Sequence, residues 1–314
     1  MNPIKTILTL CALCLGTALY TEVAAAASEW RILVVLSDTT APYVELTQVL
    51  RASLEKRDLV KNFQTVQVGQ LSELPARLPS DLWVTVGVKA AEAVAGANVA
   101  VPTFNLLIPR QSFESLPRGA GKNLVSALYL DQPMVRQLQL IKAALPARDN
   151  VGILLGPTSQ DRLRELQISA RQSHMKLKVE LVNAEEQLLP ALKKVLADSD
   201  VLLAVPDPLV FNRDTAQNVL LTSYRAKAPL FAFSKSYVTA GALAAVYSTP
   251  AQIGQQAGEI IQRYLQAGGG TLPPPQYPEY FSVSVNYQVA RSLGLVLDDE
   301  ATLLERIKAS AERE

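Results

Sequence analysis

Side chains able to hold a small molecule recur at one kind of place in this chain, just after a short apolar run. Asp38, Thr39, Thr40 and Tyr43 follow the run 31–36, Lys89 follows 82–86, and Asn105 lies near the end of 101–107. Thr158 and Ser159 follow 151–155. Asp207, Phe211 and Asn212 follow 201–205, and Ser234, Lys235 and Tyr237 follow the run ending at Phe233. These types offer recognition rather than bond-making. The hydroxyl pairs Thr39 with Thr40 and Thr158 with Ser159 stand ahead of helical patterns. Each pair either caps its helix or, beside free N–H groups and partial positive charge, holds a ligand carboxylate. Asp207 lies between two prolines in a stiff loop, where it receives a ligand ammonium or is an ordinary turn residue. Tyr43, Phe211 and Tyr237 offer flat apolar walls or core packing, and Lys235 a ligand contact or a solvated charge.

No catalytic constellation accompanies them. The two cysteines, Cys11 and Cys14, sit near the start, and His174 is the single histidine. Neither a His/Cys zinc site nor a cysteine nucleophile can therefore exist downstream of Cys14. A Ser-His-Asp triad would have to use His174, which has the setting of a solvated residue at a helix end. The segment 119–123 resembles a phosphate loop only in part, since Asn123 follows the lysine and Leu116 stands where the first glycine belongs. Ser234 and Lys235 are adjacent on an extended segment and point opposite ways, a poor dyad. No G-x-S-x-G elbow occurs. The expectation is a protein that is not an enzyme and uses no cofactor or metal.

The elements that must position these residues alternate. Continuous apolar runs at 31–36, 64–68, 82–86 and 101–107 suit parallel strands buried on both faces, with helical spacing at 42–57 and 89–95 between them. The pattern restarts with a helix opened by Asp131 as N-cap and Pro133 in its first turn. Strands at 151–155, 177–182, 201–205, 229–233 and 243–247 then alternate with helices near 160–173, 188–196 and 215–225. Such alternation predicts an α/β fold, and two series predict two lobes of doubly wound parallel sheet. A further helix from Pro250, a Gly/Pro-rich stretch at 268–278, an alternating edge strand at 281–285 and helices near 288–293 and 300–309 make a tail that fits neither lobe alone.

Totals bound the rest. The chain has 314 residues and 34.0 kDa, and 30 Lys+Arg against 29 Asp+Glu leave no basic excess to neutralise nucleic-acid phosphates. One positive charge in residues 1–5, an apolar stretch at 6–20 and small residues at 23–28 form the three-part pattern of a cleaved secretory signal peptide over 1–27. The alternatives are a membrane anchor, for which the stretch falls short of the ~20 residues a bilayer helix needs, and a lipoprotein, whose site wants a small residue where Leu precedes both cysteines. Cleavage after Ala27 would leave a soluble, periplasmic chain without cysteine.

Three blocks carry a family resemblance. They are 124–127 leading to 137–146 and 151–155, then 241–245 followed by 254–258, and finally 285–295. In this order they are similar to the type I periplasmic substrate-binding proteins of ABC transporters, in the tryptophan/tyrosine-type subgroup, over residues 30–297. The resemblance implies two lobes, 28–126 plus 249–278 and 127–248 plus 279–314, joined by a three-segment hinge with crossings near 126–130, 247–250 and 278–281. It implies a ligand in the cleft, with Thr39, Thr40, Asn105, Thr158, Ser159 and Asp207 at the matching polar positions. The chain departs from the family at 105–109, which lacks a Thr-Asp-Pro-like segment, and at Asp207, which sits in Pro-Asp-Pro rather than Asp-Asn. The implied function is to bind a small, amino-acid-like or carboxylate ligand as a monomer, and deliver it to an ABC permease in the inner membrane. The alternative is a periplasmic sensor partnering a membrane signalling protein.

Overall fold

The computed structural model describes residues 30–55, 60–73, 79–97, 99–117 and 124–311. The leader expected at 1–27 and the phosphate-loop look-alike at 119–123 lie outside them. The first series runs β1 (Trp30–Leu36), α1 (Ala41–Glu55), β2 (Val60–Gln67), β3 (Leu82–Val86), α2 (Val88–Gly96), β4 (Thr103–Ile108), α3 (Arg110–Glu114) and β5 (Val125–Tyr129). Its strands form one parallel sheet in the order β2-β1-β3-β4-β5. The second series runs α4 (Met134–Ala144), β6 (Asn150–Leu155), α5 (Leu163–Gln172), β7 (Lys176–Leu181), α6 (Glu185–Ala197), β8 (Val201–Leu203), α7 (Arg213–Arg225), β9 (Leu230–Ala232), α8 (Lys235–Ala240) and β10 (Ala244–Tyr247). After it come α9 (Pro250–Gln266), β11 (Ser282–Val285), α10 (Tyr287–Ser292) and α11 (Glu300–Ala311). The second sheet has the order β11-β10-β9-β8-β6-β7, parallel except for β11, which pairs antiparallel with β10.

Strand periodicity explains why both faces are covered. In β1, Ile32, Val34 and Leu36 join one core with Leu46, Leu50 and Ile261, while Leu33 and Val35 join another with Ala90 and Val94. The second sheet is sandwiched in the same way, with α4, α5 and α11 on one face and α6 and α7 on the other. Two α/β lobes result.

The tail crosses between them. Helix α9 opens on a capping box of Thr249 and Gln252, with Pro250 at its first position. It then lies against α1 of the first lobe, close enough that a Cβ on Gly254 would come within 2.7 Å of the Leu46 carbonyl oxygen. Strand β11 and helix α11 return to the second lobe, where α11 packs on α4. Among the described residues no helix is long and apolar enough to cross a membrane.

Two expectations fail locally. Asp131 does not cap α4, which starts after Pro133 without a side-chain cap. Its carboxylate instead accepts the Arg110 backbone N–H at 2.5 Å, because the α3 start lies within reach and offers an unpaired donor. The helix expected from residue 215 begins two residues earlier, held by Asn212.

Candidate functional site

A cleft of about 720 Å³ lies between the lobes. The second lobe contributes Thr158, Pro206, Asp207, Pro208, Phe211 and Phe233, from the loops after β6, β8 and β9. These are the carboxyl ends of parallel strands, where such sheets leave room for ligands. The first lobe contributes Glu92 of α2 and Pro109, Gln111, Ser112, Ser115, Leu116 and Pro117 in and around α3.

Asp207 anchors the second-lobe wall. It is 2% exposed. Its Oδ2 accepts the Thr158 N–H at 3.1 Å, the Thr158 hydroxyl at 2.8 Å and the Ser159 hydroxyl at 2.9 Å, and Oδ1 accepts the Leu209 N–H at 2.9 Å. All these donors are neutral. Gly156 makes the space, since a Cβ there would sit 2.3 Å from Oδ1. Thr158 and Ser159 therefore tie the β6 loop to the β8 loop rather than capping a helix. The turn that follows, Gln160–Arg162, has no side-chain cap. Beside the clamp, Phe211, Phe233 and Tyr237 form a cluster with ring centroids 5.1 to 6.4 Å apart, Phe211 edge-on to the other two rings and those two tilted to each other. Phe211 and Phe233 face the cleft. Tyr237 packs against both, and burial pushes its hydroxyl pKa up.

The remaining residues expected from sequence are placed elsewhere. Asn212 is the N-cap of α7: its Oδ1 accepts the N–H groups of Asp214 and Thr215 at 2.8 and 3.0 Å, and its Nδ2 donates to the Pro208 carbonyl. Ser234 caps α8 through the Tyr237 N–H, and Lys235 is exposed at that helix's first position. Asn105 is buried in the first sheet. It accepts the Thr85 hydroxyl at 2.6 Å and donates to the Ser126 carbonyl at 2.9 Å, because β4 runs on to Ile108 and leaves it mid-strand. Asp38, Thr39, Thr40, Tyr43 and Lys89 lie just after the carboxyl ends of β1 and β3 and are not among the residues that border this cavity. There the Thr40 hydrogen bonds hold the Asp38 carboxyl below its ordinary range, with help from the Lys89 charge. Burial raises the Tyr43 hydroxyl pKa. Gly87, at φ +88°, admits that hydroxyl, since a Cβ would meet it at 2.7 Å. Ser37, in the same loop, accepts the Ala90 N–H in the first turn of α2 at 3.0 Å.

Sequence reasoning missed most of the first-lobe wall. A helix of five residues shows no periodicity. The signal available was the i,i+4 pairing of Arg110 with Glu114 straight after Pro109.

Comparison with known proteins identifies this arrangement. The family described as "ABC transporter substrate binding protein" matches residues 80–308. The chain belongs to that family. No curated protein sequence matches it. Among solved structures, a substrate-binding protein from Clostridium difficile in its ligand-free, open form is 16% identical with a TM-score of 0.70, covering 87% of this chain and 97% of its own. The ABC domain from Streptococcus pneumoniae in complex with L-Trp is 18% identical with a TM-score of 0.60, covering 89% and 98%. A conserved domain protein from Vibrio cholerae is 20% identical, also at 0.60, covering 88% and 98%. The shared fold is that of type I periplasmic binding proteins.

In this substrate-binding protein the segments between the lobes are bonded to one another. Gln132 Nε2 donates to the Ser248 hydroxyl at 2.8 Å, which donates to the Tyr280 carbonyl at 2.6 Å. Arg136 reaches the Pro278 carbonyl at 2.8 Å and stacks over Phe281 at 4.1 Å, and burial brings its pKa down to about 10. Nearer the cleft, Arg110 of α3 pairs with Glu114 at 2.7 Å, with Glu165 of the second lobe at 3.1 Å, and donates to the Tyr277 hydroxyl at 2.9 Å. Those bonds raise the pKa of Arg110, while burial raises those of Asp131 and Tyr277.

Proposed function

We propose that this solute-binding protein works in the periplasm, after removal of residues 1–27, as the monomeric component that captures a small ligand between its lobes for an ABC permease in the inner membrane. The observation that carries the reading is the cleft itself, with walls drawn from both lobes at the carboxyl ends of parallel strands. In this reading the lobes, 28–126 plus 249–278 and 127–248 plus 279–314, close about the bonded segments that join them. In this reading the chain does no chemistry on its ligand, and the polar groups of the second-lobe wall, Asp207 and Thr158, are engaged with each other. The test is calorimetric titration of the purified protein against amino acids, organic acids, amines and sugars, with small-angle scattering of each mixture. Binding with a decrease in radius of gyration is expected for at least one solute. Absence of both across the whole panel overturns the reading. Edman sequencing of the exported protein should begin at Ser28.

A further inference from the structure

Where the two walls of the cleft run back toward the connecting segments, their chains meet at one hydroxyl. Tyr277 lies near the end of the Gly/Pro-rich stretch, just before the third crossing. Its surroundings tie it to the first lobe. Gln276 pairs parallel with Leu128 of β5, donating its N–H to the Ala127 carbonyl and accepting the Tyr129 N–H, both at 3.0 Å. The Tyr277 ring stands edge-on to Tyr129 at 5.3 Å, and Tyr129 meets Phe113 of α3 edge-on at 5.8 Å. Tyr277 therefore moves with the first lobe, as Arg110 on α3 does.

The second lobe sends two side chains to the same point. Arg162 donates to the Tyr277 hydroxyl at 3.1 Å, and that hydroxyl donates to Glu165 at 3.4 Å. Glu165 also accepts the Arg110 guanidinium at 3.1 Å, and Arg110 donates to the Tyr277 hydroxyl at 2.9 Å. Arg110 with Glu165, Arg162 with Tyr277 and Tyr277 with Glu165 thus bond across the lobes around one oxygen. Their place in the chain gives them leverage. Arg110 directly precedes Gln111 and Ser112 of the first-lobe wall, and Arg162 follows Thr158 of the second by one turn. These bonds are directional and weaken steeply out of line, so rotation of one lobe against the other breaks them. They are also cheap to break. The Arg110 and Glu165 side chains are 36% and 30% exposed, and such a pair shifts an equilibrium by about fivefold at most.

We propose that Tyr277, with Arg110, Arg162 and Glu165 gathered at its hydroxyl, is a reversible clasp between the lobes that biases the unliganded protein toward the arrangement seen here without fixing it. The test contains no ligand, so its failure leaves the solute-binding reading standing. Nitroxides on Ala52→Cys in α1 and Gln217→Cys in α7, both exposed and on opposite lobes, report the inter-lobe distance distribution by double electron–electron resonance, in a chain that also carries Cys11→Ser and Cys14→Ser. Glu165→Gln removes the charge and keeps the shape; Tyr277→Phe removes the hydroxyl and keeps the ring. Each should lower the ratio of the parent's main distance population to the others by about fivefold, and the double variant by less than the product, because both break one cluster. About 1 M salt, where the Debye length is about 3 Å, should move the parent the same way and Glu165→Gln less. Glu180→Gln loses an ion pair to Lys194 inside the second lobe and should leave the distribution as in the parent. An unchanged distribution in Tyr277→Phe overturns the clasp, and so does a parent distribution indifferent to salt or an equal shift in Glu180→Gln. Melting temperatures identify a variant that fails to fold, in which case the salt series on the parent decides alone.

Discussion

Asp207→Asn separates a carboxylate that holds the cleft together from one that merely waits for a ligand. The side chain keeps its shape and loses its charge. Three donors converge on Oδ2 and one on Oδ1, all from the protein. An amide in its better orientation keeps its oxygen toward Thr158 and Ser159 and turns its NH₂ toward the Leu209 N–H. That buried donor-to-donor contact costs about 1–3 kcal/mol. The three bonds to the oxygen lose their charge assistance, which roughly halves each. Removing a buried charge returns part of this through desolvation. The net expectation is a loss of about 3 kcal/mol, or roughly 6 °C in melting temperature for a chain of this size. Thermal melts followed by circular dichroism, on ligand-free protein at neutral pH, measure it. An unchanged melting temperature together with lost ligand affinity would refute the clamp. Gly156→Ala tests the same geometry from the other side, since its Cβ would sit 2.3 Å from Oδ1. It should also destabilise, and the double variant should cost less than the two changes added, because both break one cluster.

Three further outcomes are expected. Ser248→Ala removes the link between Gln132 and the Tyr280 carbonyl; it should lower stability by about 1–2 kcal/mol and broaden the inter-lobe distance distribution in scattering, and an unaltered distribution would exclude a hinge role. Gly87→Ala combines a left-handed φ of +88° with a contact of 2.7 Å to the Tyr43 hydroxyl, so a loss of about 1–3 kcal/mol is expected, measured by urea unfolding. Burial raises the Asp131 pKa, so the folded state binds that proton more tightly than the unfolded one. The contribution to stability is complete below the unfolded carboxyl value of about 3.9 and is lost as pH rises through the raised folded value. Asp131→Asn keeps an acceptor for the Arg110 N–H and should make the protein at least as stable as the parent at neutral pH. That gain should shrink toward acid, and a less stable variant at neutral pH would contradict it.

The sequence made some parts of this molecule legible for physical reasons. Runs such as 32–36 and 201–203 are apolar at every position, which suits a short strand covered on both faces, and the two-lobe α/β plan follows from their alternation with helices. The cleft-facing roles of Phe211 and Asp207 were half-legible: both line the cavity, but Asp207 is saturated by protein donors. That saturation needs the strand order, because only the pairing of β6 with β8 puts Thr158 beside a residue so far along the chain. The burial of Asn105 was not legible, because it needs the neighbouring strands: the expected run 101–107 ends one residue short of the observed strand, and only the pairing of β4 with β3 and β5 puts Asn105 between Thr85 and Ser126. Asn212 has a local role that its sequence also carried, since Thr215 three residues on completes a capping box with it.

Helix α3 joins the two halves of the problem. Gln111, Ser112 and Ser115 border the cleft, while Arg110 and Glu114 of the same short helix form the ion pairs that reach Glu165 across the lobes. Five residues hold little helical structure of their own, so a force on the cleft side of α3 is felt at Arg110. The Arg110–Glu165 pair is partly exposed and worth at most about 1 kcal/mol, too little to lock either arrangement. The proposed closure would then draw its free energy from contacts that exist only when one ligand touches both walls of the cavity, the second-lobe loops on one side and α3 on the other. In the proposed closure, the bonded chain Gln132–Ser248–Tyr280 would set the path of the movement and the shape of the ligand its end point.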